Sequence, residues 1–257
     1  MHEDVGSHPL WHLPFMPAPF NTVHADTVII TWIAMALALV VVGLLAATHP
    51  ITVVSKRYSV MELIVSYLTD TTTGILGKNG VPFVPFIISL FVFILLLNEI
   101  GLFPFIGKSP TADLNTTAAL AITTILLIQI VGIARHGLGY YKHLIIKPIF
   151  LGILMLPITL IDELARPVTL AMRLFGNIFA GEILLVVVSV VITAGIAIGQ
   201  FHIGGHAFYI LPISKLAIAA PLLIYAFNLA IGVIQAAVFT LLTIAYLITP
   251  TQDSPGH

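Results

Sequence analysis

A single arginine stands within a stretch of the chain that is otherwise free of charge. Arg173 is the only charged residue between positions 167 and 181, and the run that follows at 183–192 is almost wholly apolar. An arginine at the centre of a membrane span costs about 2.5 to 3.5 kcal/mol or more, so such residues usually mark ion paths. An arginine that snorkels to the membrane surface, or that a structural partner neutralises, is the alternative. The sequence therefore suggests an ion path that depends on Arg173.

Other polar side chains recur at helical spacing around this arginine. With residues placed at 100° intervals around a helix, three of them share with Arg173 an arc of about 60°. They are Asp162, Arg166 and Asn177, and Glu163 adjoins the first of them. A polar stripe on an apolar helix indicates a face that is turned toward water or toward a partner. We therefore predict that these residues border the ion path.

Two further groups of polar residues surround the stripe in sequence. Glu182, nine residues after Arg173, falls on the opposite side of the helix, so it is predicted to line a different cavity. In the last apolar run, Asn228, Gly232 and Gln235 share a face at positions i, i+4 and i+7, where the two amides offer hydrogen bonds to a buried cation. Ordinary amide bonds between packed helices explain these amides equally well.

The composition of the chain predicts that lipid surrounds it. Of the 257 residues, 59% are hydrophobic and 8% are charged, whereas a soluble domain carries about a quarter charged residues. A net charge of -1 gives no basic face for nucleic acid. The chain has no cysteine, and its ten histidines form no His-Glu-x-x-His motif. We therefore expect no metal site and no cofactor.

The apolar runs divide the chain into a succession of membrane elements, which we treat as a single domain over residues 1–257. An outer segment at 1–27 precedes a first span at 28–48, which is long enough to cross a hydrocarbon core of about 30 Å. Residues 55–77 form an amphipathic helix that lies in the membrane interface, with a plain cytoplasmic helical loop as the alternative. Residues 84–135 form a hairpin of two spans. Basic residues follow the first span and the hairpin, so the N-terminus is predicted to lie outside.

The last part of the chain, 148–248, contains two apolar runs that are too long for upright spans. Residues 149–200 would make a helix of roughly 75 Å, more than twice the core thickness. Two upright helices joined by a turn at 162–166 satisfy this length, and so does one long helix that is tilted or bent near Pro157 and Pro167. The run at 213–248 is likewise too long for an upright crossing.

Several segments resemble those of the F-type ATP synthase subunit a family. The specific match is the stretch 169–178, TLAMRLFGNI, followed by AGE at 180–182. Further similarity lies at 98–104, at 112–115 and in the last helix from Gln235 to Tyr246, while the first 50 residues add little. The resemblance implies an all-α membrane protein with five transmembrane helices plus one interfacial amphipathic helix. It also implies that the last two helices are long and tilted, which favours one bent helix over 149–200.

The same resemblance implies roles for individual residues. Arg173 would face a carboxylate on a ring of c subunits, with Asn177 and Gln235 flanking it. Glu182 would belong to a half-channel, and Asp113 would lie near the outer opening. The chain departs from the family pattern at Asn228, where many relatives carry a histidine or an acid. The resemblance therefore does not identify the group that passes protons on near Glu182.

The resemblance further implies a stator subunit that provides two offset half-channels for protons and makes no ATP itself. Its partners would be the c-ring, the peripheral-stalk b subunits and the rest of the ATP synthase, in a bacterial inner membrane with the C-terminus in the cytoplasm. The ring site largely decides between H⁺ and Na⁺, and we favour H⁺. A secondary ion-coupled transporter would show paired internal repeats, and none is visible. A structural subunit of a membrane complex is the other alternative.

Overall fold

The computed structural model describes residues 10–12, 22–47, 56–102, 109–137, 140, 149–198, 201–203, 206–208 and 213–251. Its helices are α1 (Ala25–Ala47), α2 (Lys56–Leu76), α3 (Val84–Ile100), α4 (Leu114–His136), α5 (Ile149–Ile198), α6 (Ile213–Tyr246) and α7 (Ile248–Thr251). Two 3-10 turns, Gly77–Phe83 and Pro110–Ala112, precede α3 and α4. The strands are β1 (Leu10–His12) and β2 (Thr22–His24), then β3 (Phe201–Ile203) and β4 (His206–Phe208), and they form two short antiparallel hairpins.

Within the described residues, five helical segments are long and apolar enough to cross a membrane, which confirms the predicted all-α membrane fold. They are Ala25–Leu44, Glu62–Ile100, Leu114–His136, Met155–Ile192 and Ala219–Tyr246. The second of these segments joins α2 to α3 through the first 3-10 turn. A separate helix at Lys56–Leu76 matches the predicted 55–77, although its place in the membrane interface stays a prediction. Most of the predicted outer segment, 1–27, lies outside the described residues.

Helix α5 is continuous over 50 residues, so a single long helix replaces the two upright helices that the sequence left open. At 1.5 Å per residue it is about 75 Å long, and α6, with 34 residues, is about 50 Å long. Both helices contain proline, at Pro157 and Pro167 in α5 and at Pro221 in α6. A hydrocarbon core of about 30 Å can contain neither helix upright over its whole length.

The core of the bundle is built around α3, which positions the two long helices. Ile87, Ile94 and Leu97 of this helix are fully buried, and α3 packs mainly on α1 and α6. Helix α5 in turn packs on α4 and α6, burying Leu170 and Leu174. Polar residues on α3, α5 and α6 are therefore brought toward the same seam.

Two hydrogen bonds define one end of the bundle, here termed the C-terminal end. His136, the last residue of α4, places its Nε2 atom 3.1 Å from the carbonyl of Pro250. Asn79, in the turn before α3, donates from Nδ2 to the carbonyl of Thr251 at 3.0 Å. The opposite end, termed the Asp113 end, holds the last turn of α3 and the first turn of α4. Positions along α5 and α6 can be referred to these two ends.

Candidate functional site

Arg173 lies on the exposed surface of α5. Within the part of the chain that the structure describes, its guanidinium makes no ion pair and no hydrogen bond. The surrounding surface is apolar: Val168 is 59% exposed and Met172 is 51% exposed on α5, and Ile234 is 61% exposed on α6. A permanently charged side chain thus stands in an apolar surface, and no described residue of its own chain neutralises it.

An amide pair joins α5 to α6 one helical turn from this arginine. Asn177 donates from Nδ2 to Oε1 of Gln235 at 2.8 Å. Gln235 is 2% exposed, and its Nε2 atom has no hydrogen-bond partner among the described residues. On α6, Gln235 stands about 10 Å along the helix from Asn228 and about 16 Å from Tyr246. The pair therefore lies between the two ends of the bundle and away from both, with Gln235 buried and Asn177 exposed.

A second polar group lies toward the Asp113 end. The backbone N–H of Ser109 donates to Oε1 of Glu182 at 3.0 Å. Asn228 is 6% exposed and donates from Nδ2 to the carbonyl of Gly181 at 3.2 Å. A Cβ atom at Gly181 would come within 2.5 Å of Oδ1 of Asn228, so glycine permits this close approach of α5 to α6. These contacts place Glu182 and Asn228 beside the same helix seam.

A small cavity connects these polar groups. Its volume is about 20 Å³, which is enough for about one water molecule. Its polar lining includes Asn98, Ser109, Asn177, Glu182 and Asn228. Arg173 is not among the residues that line it. The cavity therefore reaches from Glu182 to the amide that neighbours the arginine, and it stops short of the arginine itself.

Asp113 lies apart from this cavity, at the start of α4. Its carboxylate accepts a hydrogen bond from the backbone N–H of Asn115 at 2.9 Å and so caps the helix. It also borders a cleft of about 410 Å³ between α1 and α4. The polar lining of that cleft consists of His24, Thr27, Thr31, Asp113, Asn115, Thr116 and Thr123. Asp113 thus borders a second, larger cleft at its end of the bundle, with both polar and apolar side chains in its lining.

The remaining predicted site residues, Asp162, Glu163 and Arg166, lie toward the C-terminal end, and two of them form an ion pair. Glu163 forms an ion pair with Arg166, at 3.0 Å between Oε2 and Nη1, and also accepts a hydrogen bond from Nε2 of Gln129. The guanidinium of Arg166 lies 5.1 Å from the centre of the Tyr246 ring. Asp162 is exposed. The structure therefore divides the predicted polar stripe into a paired group and the unpaired Arg173.

The sequence analysis gave no role to two polar residues at the end of α3. Asn98 is 1% exposed and donates from Nδ2 to the carbonyl of Gly232 at 3.0 Å. In Glu99, Oε1 is buried and has no hydrogen-bond partner in the described ranges. The signal in the sequence was two adjacent polar residues at the end of an otherwise apolar span.

The histidines were also considered as metal ligands. His202 and His206 have helical spacing in the sequence, but they lie on the β3–β4 hairpin, where Ile203 pairs with His206. Over the described residues, no group of three or more histidine, cysteine or acidic side chains is arranged to hold a metal ion.

Comparison with known proteins adds a consistent set of similarities. The family profile described as ATP synthase A chain matches residues 28–248. The chain is 36% identical to ATP synthase subunit a of Moorella thermoacetica over 224 residues, which cover 86% of this chain and 88% of that protein. It is 34% identical to ATP synthase subunit a 3 of Pelobacter propionicus over 245 residues, or 93% and 96% of the two chains. With ATP synthase subunit a of Hyphomonas neptunium the identity is 37% over 195 residues, or 75% and 74%.

Proposed function

The chain belongs to the ATP synthase A chain family, and we propose that it is the stationary ion-channel subunit of a rotary F-type ATP synthase. In this proposal it supplies two half-channels for protons, which are offset so that neither crosses the membrane alone. Protons pass from one to the other on the carboxylates of a rotating ring of c subunits. The chain itself carries out no ATP chemistry, and the observation that carries the proposal is the unpaired Arg173.

The cost of an unpaired cation in the membrane argues for a partner outside the chain. An arginine at the membrane centre costs about 2.5 to 3.5 kcal/mol on insertion scales, and more in simulations. Arg173 lies in an apolar surface, one helical turn from the Asn177 that bonds the buried Gln235, and no described group of its own chain neutralises it. A carboxylate on a neighbouring subunit would remove that cost. An exposed apolar surface around one cation is also a suitable contact surface for a rotating ring that carries one acid per subunit.

The cavity near Glu182 supports the proposed outer half-channel. The Asp113 cleft would admit water, and Glu182 would receive protons that then move past Asn228 and Asn98 toward Asn177. Asn228 has no titratable proton, so it would orient water rather than carry a proton. Asn177 and Gln235 would hold the inner end of this path beside Arg173.

The paired group toward the C-terminal end supports the proposed inner half-channel. Asp162 is exposed on the face of α5 that carries Arg173, and Glu163 and Arg166 lie beside it. We place Asp162 on the route by which protons leave the ring, beside the Glu163–Arg166 ion pair, which holds the wall of that route in position. Arg173 stands between this route and the Glu182 cavity, which keeps the two aqueous paths apart.

The transport cycle then follows from elementary electrostatics. A ring carboxylic acid that arrives in front of Arg173 is favoured in its charged form, so it releases its proton to the inner path. After the ring turns, the carboxylate accepts a proton from the outer path and re-enters lipid as a neutral acid. Carrying the bare charge into hydrocarbon would cost several kcal/mol, so rotation without protonation is blocked.

Charged residues at the C-terminal end support the proposed orientation. Arg135 lies 5.2 Å from the centre of the Phe83 ring, and Lys78 adjoins Asn79, so two basic residues share this end. Basic residues favour the cytoplasmic side, which would place the C-terminus inside and the N-terminus outside. The bacterial relatives support an inner membrane, where the c-ring and the peripheral-stalk b subunits would be the neighbouring partners.

The decisive test removes the cation. Complexes with Arg173→Ala, reconstituted in vesicles, should assemble with c-ring and soluble head in normal proportion but should show no ATP-driven proton uptake. Arg135→Ala is the matched control, because Arg135 is also exposed but lies at the C-terminal end. Normal pumping by Arg173→Ala would overturn the proposal. Vesicles that contain this chain alone separate the motor from a transporter, since only a transporter would move ions without the ring.

A further inference from the structure

Glu99 occupies a position that the proposed mechanism does not use. It is the only titratable residue of α3, and it lies in the last turn of that helix. Its Oε1 atom is buried and has no hydrogen-bond partner in the described part of the chain. A buried acid oxygen without a partner is costly and rare in native proteins, so its retention requires an explanation.

The neighbour of this carboxylate oxygen is the backbone of Gly232 in α6. A Cβ atom at position 232 would collide with Oε1 of Glu99, so glycine is what lets the acid approach this helix. The adjacent residue, Asn98, donates to the carbonyl of Gly232 at 3.0 Å and fixes the two helices at this point. The end of α3 thus presents an acid directly to α6.

Three positions along α6, Asn228, Gly232 and Gln235, show that Glu99 lies between groups that are already in the proposed path. Asn228 marks the level of Gly181 and Glu182, and Gln235 marks the level of Asn177, which lies one turn of α5 from Arg173. Gly232 lies about 6 Å from the first level and about 4.5 Å from the second along the helix axis. The acid that approaches Gly232 therefore stands in the interval that a proton must cross after Glu182.

Ser109 ties Glu182 to the same turn of α3. Its backbone N–H donates to Glu182 at 3.0 Å, and its hydroxyl donates to the carbonyl of Leu97 at 3.0 Å. The cavity beside Glu182 is lined by Asn98 and Gly101, which lie close to Glu99 on either side in the sequence. The cavity has room for about one water molecule, which would lie between Glu182 and the turn of α3 that carries Glu99.

The other titratable groups around this turn lie on the elements packed against it. Helix α6 offers Tyr225, seven residues before Gly232, and α1 offers Asp26, eight residues before Ala34, which packs against Leu97. The turn before α4 leads to Asp113, and α5 carries Glu182 and Arg173. Among these groups, only Glu182 lines the same cavity as Asn98.

We propose that Glu99 is a second proton-carrying carboxylate of the outer half-channel, an inference that rests on the function proposed above. Protonated Glu182 gives up its proton through water and becomes a carboxylate, while Glu99 gains an O–H bond. Glu99 then passes that proton to the ring carboxylate that has turned past Arg173, and returns to its own charged form. One O–H bond breaks and one forms in each step, and no other reactant is needed.

The test compares passive proton flux through reconstituted complexes as a function of pH. Glu99→Gln should lower flux per assembled complex by about tenfold or more, because positioned proton-transfer groups contribute about 10²–10⁴ and internal water replaces part of this. It should also alter the pH profile, and Glu99→Asp should restore part of the flux. Glu62→Gln is the matched control, since that acid is exposed on α2. Flux should stay normal in the control.

Two further variants separate a proton carrier from a structural acid. Gly232→Ala keeps the acid but displaces it from α6, so it should also lower flux. Because the transit times of carriers in series add, Glu99→Gln with Glu182→Gln should be at most about twofold slower than the slower single variant, rather than slower by the product of the two effects. Wild-type flux and pH profile in assembled Glu99→Gln complexes would overturn the inference, even if fewer complexes assemble. If Arg173→Ala is inactive at the same time, the proposed function stands and only the role of Glu99 fails.

Discussion

Arg166 and Arg173 lie on the same helix two turns apart, and their surroundings differ completely. Arg166 pairs with Glu163 at 3.0 Å and stacks on Tyr246, with 29% of its side chain exposed. Arg173 has no partner in the described part of its own chain. The same charge is therefore balanced within the chain at Arg166, whereas no described residue balances it at Arg173. The difference teaches that an arginine without a partner, rather than an arginine as such, distinguishes the position that we propose faces the ring.

Buried polar atoms show a weaker form of the same contrast. Between Asn98 and Gln235 the seam holds four that lack a described partner: Asn98 Oδ1, Glu99 Oε1, Asn228 Oδ1 and Gln235 Nε2. Near the paired group the corresponding atom is Oε1 of Gln129. Each unmade hydrogen bond costs about 1 to 3 kcal/mol. The region in which we propose proton conduction thus has more buried polar atoms without hydrogen-bond partners. Such atoms are available to bind water or a proton during transport.

The strongest test of this comparison makes the same substitution, arginine to lysine, separately at each of the two positions. Arg173→Lys should reduce ATP-driven pumping to less than about a tenth, since an ammonium lacks the planar fork and about 1.4 kcal/mol suffices for a tenfold loss. Arg166→Lys should retain most pumping, because a point charge still neutralises Glu163. The measurement is proton uptake per assembled complex in vesicles. Equal retention by both variants would remove the distinction between the two positions.

Apolar runs and membrane thickness could predict the first span and the hairpin of two spans, whereas the total of five spans came from the family resemblance. The sequence could also group Asp162, Arg166 and Arg173 on one face, since that follows from helical geometry alone. It could not predict that Gln129, 34 residues before Glu163, would donate to that carboxylate. Contacts between distant helices depend on packing angles and relative shifts that a periodic pattern does not encode. For the same reason, the approach of Glu99 to Gly232 was invisible in the sequence.

Hydropathy also failed to decide between one helix and two over residues 149–200. Pro157 and Pro167 permit a break, yet α5 runs through both positions without interruption. A proline removes one backbone hydrogen bond and crowds the preceding turn, and tertiary packing can outweigh that local cost. The family resemblance favoured the single helix correctly, because it reflects the whole packed arrangement rather than local propensity.

A moderate effect on proton flux is expected at Glu182, where we propose that the outer half-channel takes up protons. Glu182→Gln should slow passive proton flux by about 10²-fold or less, because water beside the cavity can replace part of the lost proton carrier. ATP-driven pumping should slow in parallel, while the number of protons moved per ATP stays the same, since Arg173 is intact. Asp70→Asn on α2, where Asp70 accepts a hydrogen bond from the Ser66 hydroxyl at 3.3 Å, is the matched control. Unchanged flux in Glu182→Gln at every pH would remove Glu182 from the path.

The smallest effect on transport is expected from removing the charge that is already balanced. Arg166→Met keeps the length of the side chain but leaves Glu163, which is 15% exposed, without its ion-pair partner. The loss should destabilise the complex by about 1 to 3 kcal/mol, the cost of leaving a buried polar group unsatisfied. Flux per surviving complex should stay near wild type, and the measurement is thermal inactivation of purified complexes beside vesicle flux.

The double variant Arg166→Met with Glu163→Gln distinguishes lost pairing from lost transport. With both charges removed, the new amide at position 163 could still accept a hydrogen bond from Gln129 and no unpaired carboxylate would remain, so most of the stability should return. If Arg166 instead supplied a charge that the moving proton requires, flux would stay low in the double variant despite restored stability. That result would place both arginines in the same working group and would break the contrast between the balanced and unbalanced positions of α5.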